Sequence, residues 1–514
     1  MWLPTDMEPL MISGNDLSIE QAYRVAHYHH PIKLSQEAAN KMAASRNMVV
    51  RYLTEGHSVY GVTTGFGRFS DVLIPQDKRQ ELQINLLRSH AAGVGEPFSP
   101  EIVRGMMLLR ANALAKGYSG IRTQVITLLI EMLNRNVVPV IPQQGSVGAS
   151  GDLAPLAHLA LVLIGEGWAT VGHSQEVLPG DQALRRAGLE PVVLEAKEGL
   201  ALINGTQAMS SLGVDAIMQA QFLALWADAA ASLSMEALRA IPMAFHPLVA
   251  QMRPHPGQGI VQRHLLTMLE GSRLVTNPGE LRMQDAYSLR ATPQVHGACL
   301  DALEHIRQVV RREINSATDN PLLFPEVDMV ISAGNFHGEP LALALDYLAI
   351  ASAEWASISE RRIERMVNPA LSGLPPFLTR EGGIYSGLML AQYTAASLVS
   401  ENKVWAHPSS VDSIPTSANQ EDHVSMGTTA GRKAHTIIHN LRYVLSIELM
   451  SAAQACDLLG PEKMAAKTHQ VYAWVRELVP PLEVDRPLAP DIALIAESLL
   501  DPDTVSWLEH LLMA

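Results

Sequence analysis

Residues 145–152 read GSVGASGD, and the apolar run LAPLAHLALVL follows at once. Three kinds of chemistry fit such a stretch. The simplest is a turn, since glycine takes positive φ at little cost and Asp152 is placed to cap the helix behind it. A helix start after glycines also attracts anions. There is, however, no GxxxxGK[ST], no lysine behind the glycines and no GxGxxG after a strand, so a phosphate cradle lacks its usual parts. The third chemistry is covalent. If the chain bends tightly, the Gly151 nitrogen can attack the Ala149 carbonyl carbon and close a five-membered ring. Alanine and glycine obstruct that closure least. Loss of one water from the ring, and of the Ser150 hydroxyl as a second water, leaves an exocyclic methylene conjugated to the ring. Ser150 then becomes an electrophile, a function that otherwise calls for a cofactor. The tripeptide alone leaves all three readings open.

Other reactive side chains point less clearly to a site. The two cysteines, Cys299 and Cys456, form no CxxC pair and lie in helix-like runs, which reads as two reduced, buried thiols. His27, His29 and His30 cluster in HYHH, and His435 and His439 are spaced i, i+4. No HExxH accompanies them, so no metal centre is expected.

Elements must hold these residues in place. Ser18 and Gln21 have capping-box spacing and open a short helix. SVYGVTTGFGRFS (58–70) reads as a glycine-rich loop. Helices are predicted over 76–91, 100–116, 121–135 and 152–165, and short strands within 168–179 and 191–199. From residue 206 to 240 the chain runs without proline, about 50 Å if helical throughout. Comparable runs cover 294–315, 339–366, 383–404 and 425–458. Leu300, Leu303, Ile306, Val310 and Ile314 fall on one helical face. The fold class is therefore mainly α: a long central helix bundle behind a mixed N-terminal part with short strands. The expected organisation is 1–205, 206–458 and a C-terminal helical part at 459–514, working as one catalytic unit. Several long helices are apolar on more than one side, as if helices of other subunits cover them.

Composition bounds the partners. The 514 residues are 47% hydrophobic, 18% charged and 5% aromatic, with a formal net charge of −14. An acidic chain poor in aromatics suits neither phosphate neutralisation nor base stacking, so no nucleic acid is expected. The longest clean apolar run, LALVLIG (159–165), is too short to span a bilayer, and MWLPTDMEPLM lacks a basic region before an apolar stretch. No membrane association and a cytoplasmic setting are expected.

GSVGASGDLAPLAHLA resembles the signature of the histidine and aromatic amino-acid ammonia-lyase family. VYGVTTGFG (59–67), INGTQ (203–207), QDAYSLR (284–290), GNFHGEP (334–340) and NQEDHVSMG (419–427) resemble further family segments, in the family's order. The resemblance implies the ammonia-lyase/fumarase-like helical fold and a homotetramer whose active sites draw on more than one subunit. It also implies that Ala149, Ser150 and Gly151 form 4-methylideneimidazole-5-one (MIO), with no external cofactor. By the same resemblance Tyr60 is the base that reaches the β-carbon and Arg290 pairs with the substrate carboxylate. Asn204 hydrogen-bonds the prosthetic group, Gln284 and Tyr287 line it and the substrate, and Phe336 packs beside it. A tyrosine base of lowered pKa and a planar guanidinium suit those tasks.

Substrate choice rests on a few positions. Ser89–His90 and Met389 resemble the histidine-lyase form, and Glu421 stands where phenylalanine and tyrosine lyases commonly carry Gln. A carboxylate can hydrogen-bond an imidazole N–H, whereas facing a phenyl ring it would be desolvated without return. The expected reaction is L-histidine to trans-urocanate and ammonia. A tyrosine or phenylalanine lyase, an aminomutase, or a silent helical scaffold are the alternatives. Ala291 and Gly427 depart from the family's common Cys and Ala.

Overall fold

The computed structural model describes residues 8–57, 61, 63–65 and 72–513. The expected loop at 58–70, with Tyr60, lies largely outside the described residues.

Five long helices carry the core: Gln207–Ala237, Thr292–Glu313, Glu339–Val367, Met389–Trp405 and Gly427–Leu459. Gln207–Ala237 is Ala-, Leu- and Met-rich and buried on nearly every side, so it runs through the centre. Thr292–Glu313 instead shows a stripe: of the predicted face Leu303, Ile306, Val310 and Ile314 are buried and Leu300 is half-buried, while His296 and Cys299 extend the buried stripe. Gly257 and Gly297 lie back to back where the helix Pro256–Leu269 crosses it. A Cβ on either would strike the other helix's backbone. Glu339–Val367 has the length and apolarity of a membrane span, yet 67% of its apolar window is buried in the bundle. One continuous apolar cluster runs from Ile12 to Leu512.

The N-terminal part is mixed, as expected. The predicted capping box forms in both directions between Ser18 and Gln21. Leu10–Ile12 pairs in parallel with Ile32–Leu34. The stretch 168–179 yields two short strands: Trp168–Val171 lies between Val137–Pro139 and Leu178–Pro179.

Two expectations fail. No strand forms in 191–199, because other groups satisfy that backbone. Val192 donates to the Leu163 carbonyl, and Arg122 and Arg46 donate to the carbonyls of Val193 and Ala196. A short helix, Glu198–Ile203, then begins. The run predicted from 383 starts only at Met389. Gly383 and Gly387 adopt φ of 102° and 57°, and the Asp485 carboxylate takes the amides of Ser386 and Gly387.

Candidate active site

Gly148 and Gly151 both adopt positive φ, 67° and 73°, so the chain doubles back around Ala149 and Ser150. Gly151 bridges Gly205, and a Cβ there would run into the Gly205 carbonyl. Only glycine permits that approach.

Asp152 does not cap the helix Leu153–Leu163 with its side chain, contrary to the sequence reading. Its carboxylate is fully buried and claimed elsewhere. Oδ2 accepts from the Met209 amide at 2.9 Å, and Oδ1 accepts from Ser146 Oγ at 2.9 Å and from Thr428 Oγ1. Burial pushes its pKa up, against those three donors. The carboxylate thereby ties together the first turns of Gln207–Ala237 and Gly427–Leu459. Gly338, which precedes Glu339–Val367, donates its amide to the Gly148 carbonyl at 3.4 Å. Four helices thus begin around one five-residue segment.

Ser150 opens onto a cavity of about 730 Å³. Its polar lining includes Ser89, His90, Asn204 and Glu421, and its apolar lining includes Ile74, Leu86, Leu153 and Ile203. Ser150 Oγ donates to Glu421 Oε1 at 2.6 Å, while Thr416 Oγ1 donates to Oε2 at 2.9 Å. Ser89 Oγ donates to the Leu86 carbonyl at 3.1 Å and lies 3.0 Å from His90 Nδ1. With the one Ser89 proton on the Leu86 carbonyl, His90 carries its ring proton on Nδ1 and Nε2 is left as an acceptor. Burial holds the His90 pKa below the usual value, outweighing the pull of Glu421. The cavity therefore presents two acceptors, a neutral imidazole nitrogen and a carboxylate.

Asn204 is 3% exposed; its Nδ2 donates to the Asn320 carbonyl at 3.3 Å, and its Oδ1 has no partner among the described residues. Arg110, fully buried, grips the carbonyls of Ala201 and Asn204 and the Gln207 side chain, fixing the turn that carries Asn204. A buried amide whose NH2 makes only one long hydrogen bond, lining one cavity with Ser150 beside a tightly bent Ala-Ser-Gly, fits a ring built from that tripeptide.

The remaining predicted residues lie elsewhere in this chain. Gln284 and Tyr287 are exposed, Tyr287 at 72%. Tyr287–Arg290 forms a short helix packed against Thr292–Glu313 and Glu339–Val367. The Arg290 guanidinium lies 4.6 Å over the Tyr287 ring, and its Nε donates to the Asp285 carbonyl. Met389 opens its helix half-buried, and Phe336 is half-buried two residues before Gly338. None of these five lines the Ser150 cavity. Tyr60 lies outside the described residues.

The sequence reading missed Thr416 and Arg110. Thr416 carried no signal, because the turn it closes has no glycine. The histidine clusters have structural partners: His27 and His435 both meet Asp215, at 2.6 and 3.5 Å, and His435 Nε2 also lies 3.0 Å from the Leu212 carbonyl. Cys299 and Cys456 are free and buried, and burial pushes the Cys299 thiol up to about 12, which suits packing rather than nucleophilic attack.

Known proteins resemble this chain over nearly its whole length. The profile of the family described as "Aromatic amino acid lyase" matches residues 17–477. Histidine ammonia-lyase of Symbiobacterium thermophilum is 57% identical over 96% of this chain and 97% of its own. Among solved structures, histidine ammonia-lyase from Trypanosoma cruzi superposes with a TM-score of 0.92 at 43% identity, covering 98% of this chain and 96% of that one. Phenylalanine aminomutase of Pantoea agglomerans superposes with a TM-score of 0.93 at 37% identity, covering 96% of this chain and all of that one.

Proposed function

The chain belongs to the aromatic amino acid lyase family, and on that premise we propose that it is a histidine ammonia-lyase, converting L-histidine to trans-urocanate and ammonia. The observation that carries the substrate choice is the Glu421 carboxylate, 2.6 Å from Ser150 Oγ in a cavity it shares with the acceptor nitrogen of His90. An imidazole ring has an N–H to offer those acceptors and a phenyl ring has none. The relatives named histidine ammonia-lyase, 52–57% identical among those with the highest similarity, point the same way.

Ala149, Ser150 and Gly151 are the source of MIO, whose formation releases two waters and needs no external cofactor. MIO supplies an electrophile that takes up the substrate's amine or ring. The other roles belong to side chains. Asn204 engages the prosthetic group through its amide N–H, where a fixed donor favours developing negative charge. Phe336, which does not line the Ser150 cavity of its own chain, packs against the prosthetic group of another copy. Tyr60 removes the β-proton. Arg290 pairs with the substrate carboxylate, with Gln284, Tyr287 and Met389 completing the wall. His90 and Glu421 receive the ring.

Arg290 does not line the Ser150 cavity of its own chain, which supports a carboxylate clamp supplied by another copy of the chain. A homotetramer with shared sites supplies it and covers exposed apolar residues such as Leu343, Tyr347 and Ile350 on Glu339–Val367. Residues 1–205, 206–458 and 459–514 serve as parts of one catalytic unit, in a cytoplasmic setting.

The test is product identification with L-histidine, L-tyrosine and L-phenylalanine offered together. Urocanate as the dominant product is expected. Cinnamate, coumarate or a β-amino acid in its place would transfer the assignment to the phenylalanine and tyrosine enzymes of the family.

A further inference from the structure

Glu421 is held by a turn with an unusual backbone. Thr416 and Glu421 face each other as an isolated antiparallel pair: the Thr416 amide donates to the Glu421 carbonyl at 2.9 Å, and the Glu421 amide donates back at 3.3 Å. Between them Ser417, Ala418 and Asn419 all adopt left-handed backbone, with φ of 51°, 53° and 65°. None is glycine, so each is held in a conformation that costs free energy. Such backbone persists where the surroundings over-determine it, and it gathers at functional sites. Ser417 and Ala418 are themselves part of the cavity wall.

The carboxylate at the end of this turn is divided. Oε1 takes the Ser150 hydroxyl, and Oε2 takes the Thr416 hydroxyl. These are the two side-chain hydrogen bonds of Glu421 among the described residues. They differ in permanence, because the Ser150 hydroxyl leaves as water if the tripeptide matures. Thr416 is then the partner that remains.

We infer that Thr416 is a positioning residue: its hydroxyl fixes the Glu421 carboxylate on the far oxygen, so that Oε1 stays directed at the cavity as the acceptor for a ring N–H. The inference rests on the reading of Glu421 as the imidazole acceptor. Thr416 touches neither the substrate nor the reacting atoms. It acts by holding one oxygen still, which removes a rotational freedom the ring would otherwise have to freeze on binding. Side-chain size plays no part, so serine can substitute and valine cannot.

Imidazole itself is the probe, because its binding does not require turnover. Thr416→Val, Thr416→Ser and Glu421→Gln are prepared as full-length assembled protein and compared with the wild type. Intact mass checks the two-water loss, calorimetry reads imidazole affinity, and kcat and KM are measured for L-histidine. Thr416→Val is expected to lose both waters as the wild type does and to bind imidazole about tenfold more weakly, the order of one lost hydrogen bond to a charged group. Its KM for histidine should rise more than its kcat falls. Thr416→Ser should restore both to within about twofold, which a merely structural role for the threonine methyl would not allow. If Thr416→Val binds imidazole as the wild type does while Glu421→Gln binds it weakly, Glu421 acts without help and the inference is overturned. If neither change weakens imidazole, Glu421 is not the ring acceptor, and both the substrate reading and this inference fall. Thr416→Ala replaces a Thr416→Val chain that does not fold. A folded variant that retains both waters also counts against the inference, since positioning a ring acceptor does not require a part in maturation.

Discussion

Around Ser150 the chain encloses a cavity rich in acceptors, with no cation on its wall among the described residues. On the helix Tyr287–Arg290 it displays a cation away from that cavity: among the described residues Arg290 is stacked on an exposed tyrosine and paired with a backbone carbonyl only. An amino acid zwitterion needs both halves, a place for its ring and a counter-charge for its carboxylate. The exposed half is not loosely built. Arg362, fully buried against Glu448, donates to the Ser288 carbonyl in the middle of that helix, and Thr292 Oγ1 donates to the same atom. Rigid support behind an unpaired guanidinium is how a chain prepares a contact for something outside itself. The two regions are complementary, and their difference is what the proposed site made between chains requires.

The largest effect should come from destroying the cavity's reactive centre while leaving the other half intact. Ser150→Ala is expected to fold and assemble with wild-type thermal stability, to show an intact mass without the two-water loss, and to lose nearly all turnover. Near-normal turnover in that variant would remove the tripeptide from the chemistry altogether.

A smaller effect addresses the division itself. Arg290→Ala removes a charge-assisted contact worth about 1.5–3 kcal/mol, so kcat/KM for histidine should fall by roughly 10- to 100-fold. Paired with an inactive Tyr60→Phe chain, dissociated and reassembled, it should recover part of the lost activity, because some sites then combine two intact halves. No recovery in verified mixed tetramers would place both residues on the same side of the division.

The smallest expected effect sharpens the description of the cavity. Burial holds the folded-state pKa of His90 below its ordinary 6.5. His90 is therefore neutral, with Nε2 accepting, at pH 6.5 and above. As pH falls below that value the ring gains a proton, Nε2 becomes a donor, and its contribution to binding is lost. The ratio of wild-type to His90→Gln kcat/KM should stay flat above pH 6.5 and decline below it, over a profile from about pH 5 to 8. A ratio that changes mainly above 6.5 would mean that His90 acts in its charged form.

Periodicity made the bundle legible, because Leu303, Ile306 and Val310 leave a helical stripe that survives in three dimensions. The strand expected at 191–199 failed because two arginines, distant in sequence, supply the hydrogen bonds a neighbouring strand would have given. The Gly148–Gly151 bend could be read from its residues, since glycine announces positive φ. The Thr416–Glu421 turn could not, since its left-handed residues are serine, alanine and asparagine. Asp152 carried a correct sign of importance and a wrong partner. Its place before a helix suggested a cap, but Met209 and Thr428 come to it from elements 57 and 276 residues away. Gln284, Tyr287 and Arg290 became candidates through the family resemblance, and nothing local in QDAYSLR sets them apart from a surface segment.

The four helix starts gathered at Gly148–Asp152 have an electrostatic consequence. Each α-helix carries roughly half a positive elementary charge at its N-terminus, spread over amides that its own turns cannot satisfy. Helices beginning at Leu153, Gln207, Glu339 and Gly427 bring those ends to one segment of a chain whose net charge is −14. The macrodipoles create a small electropositive region without a mobile cation. Unlike a lysine, such a field neither titrates nor swings away, and it needs no reorganisation when electron density moves toward Ser150. The Asp152 carboxylate draws on the same field, offsetting part of the cost of its burial. Three of the longest helices of the fold thus do more than fill a core: with the shorter helix at Leu153 they add to the potential around Gly148–Asp152.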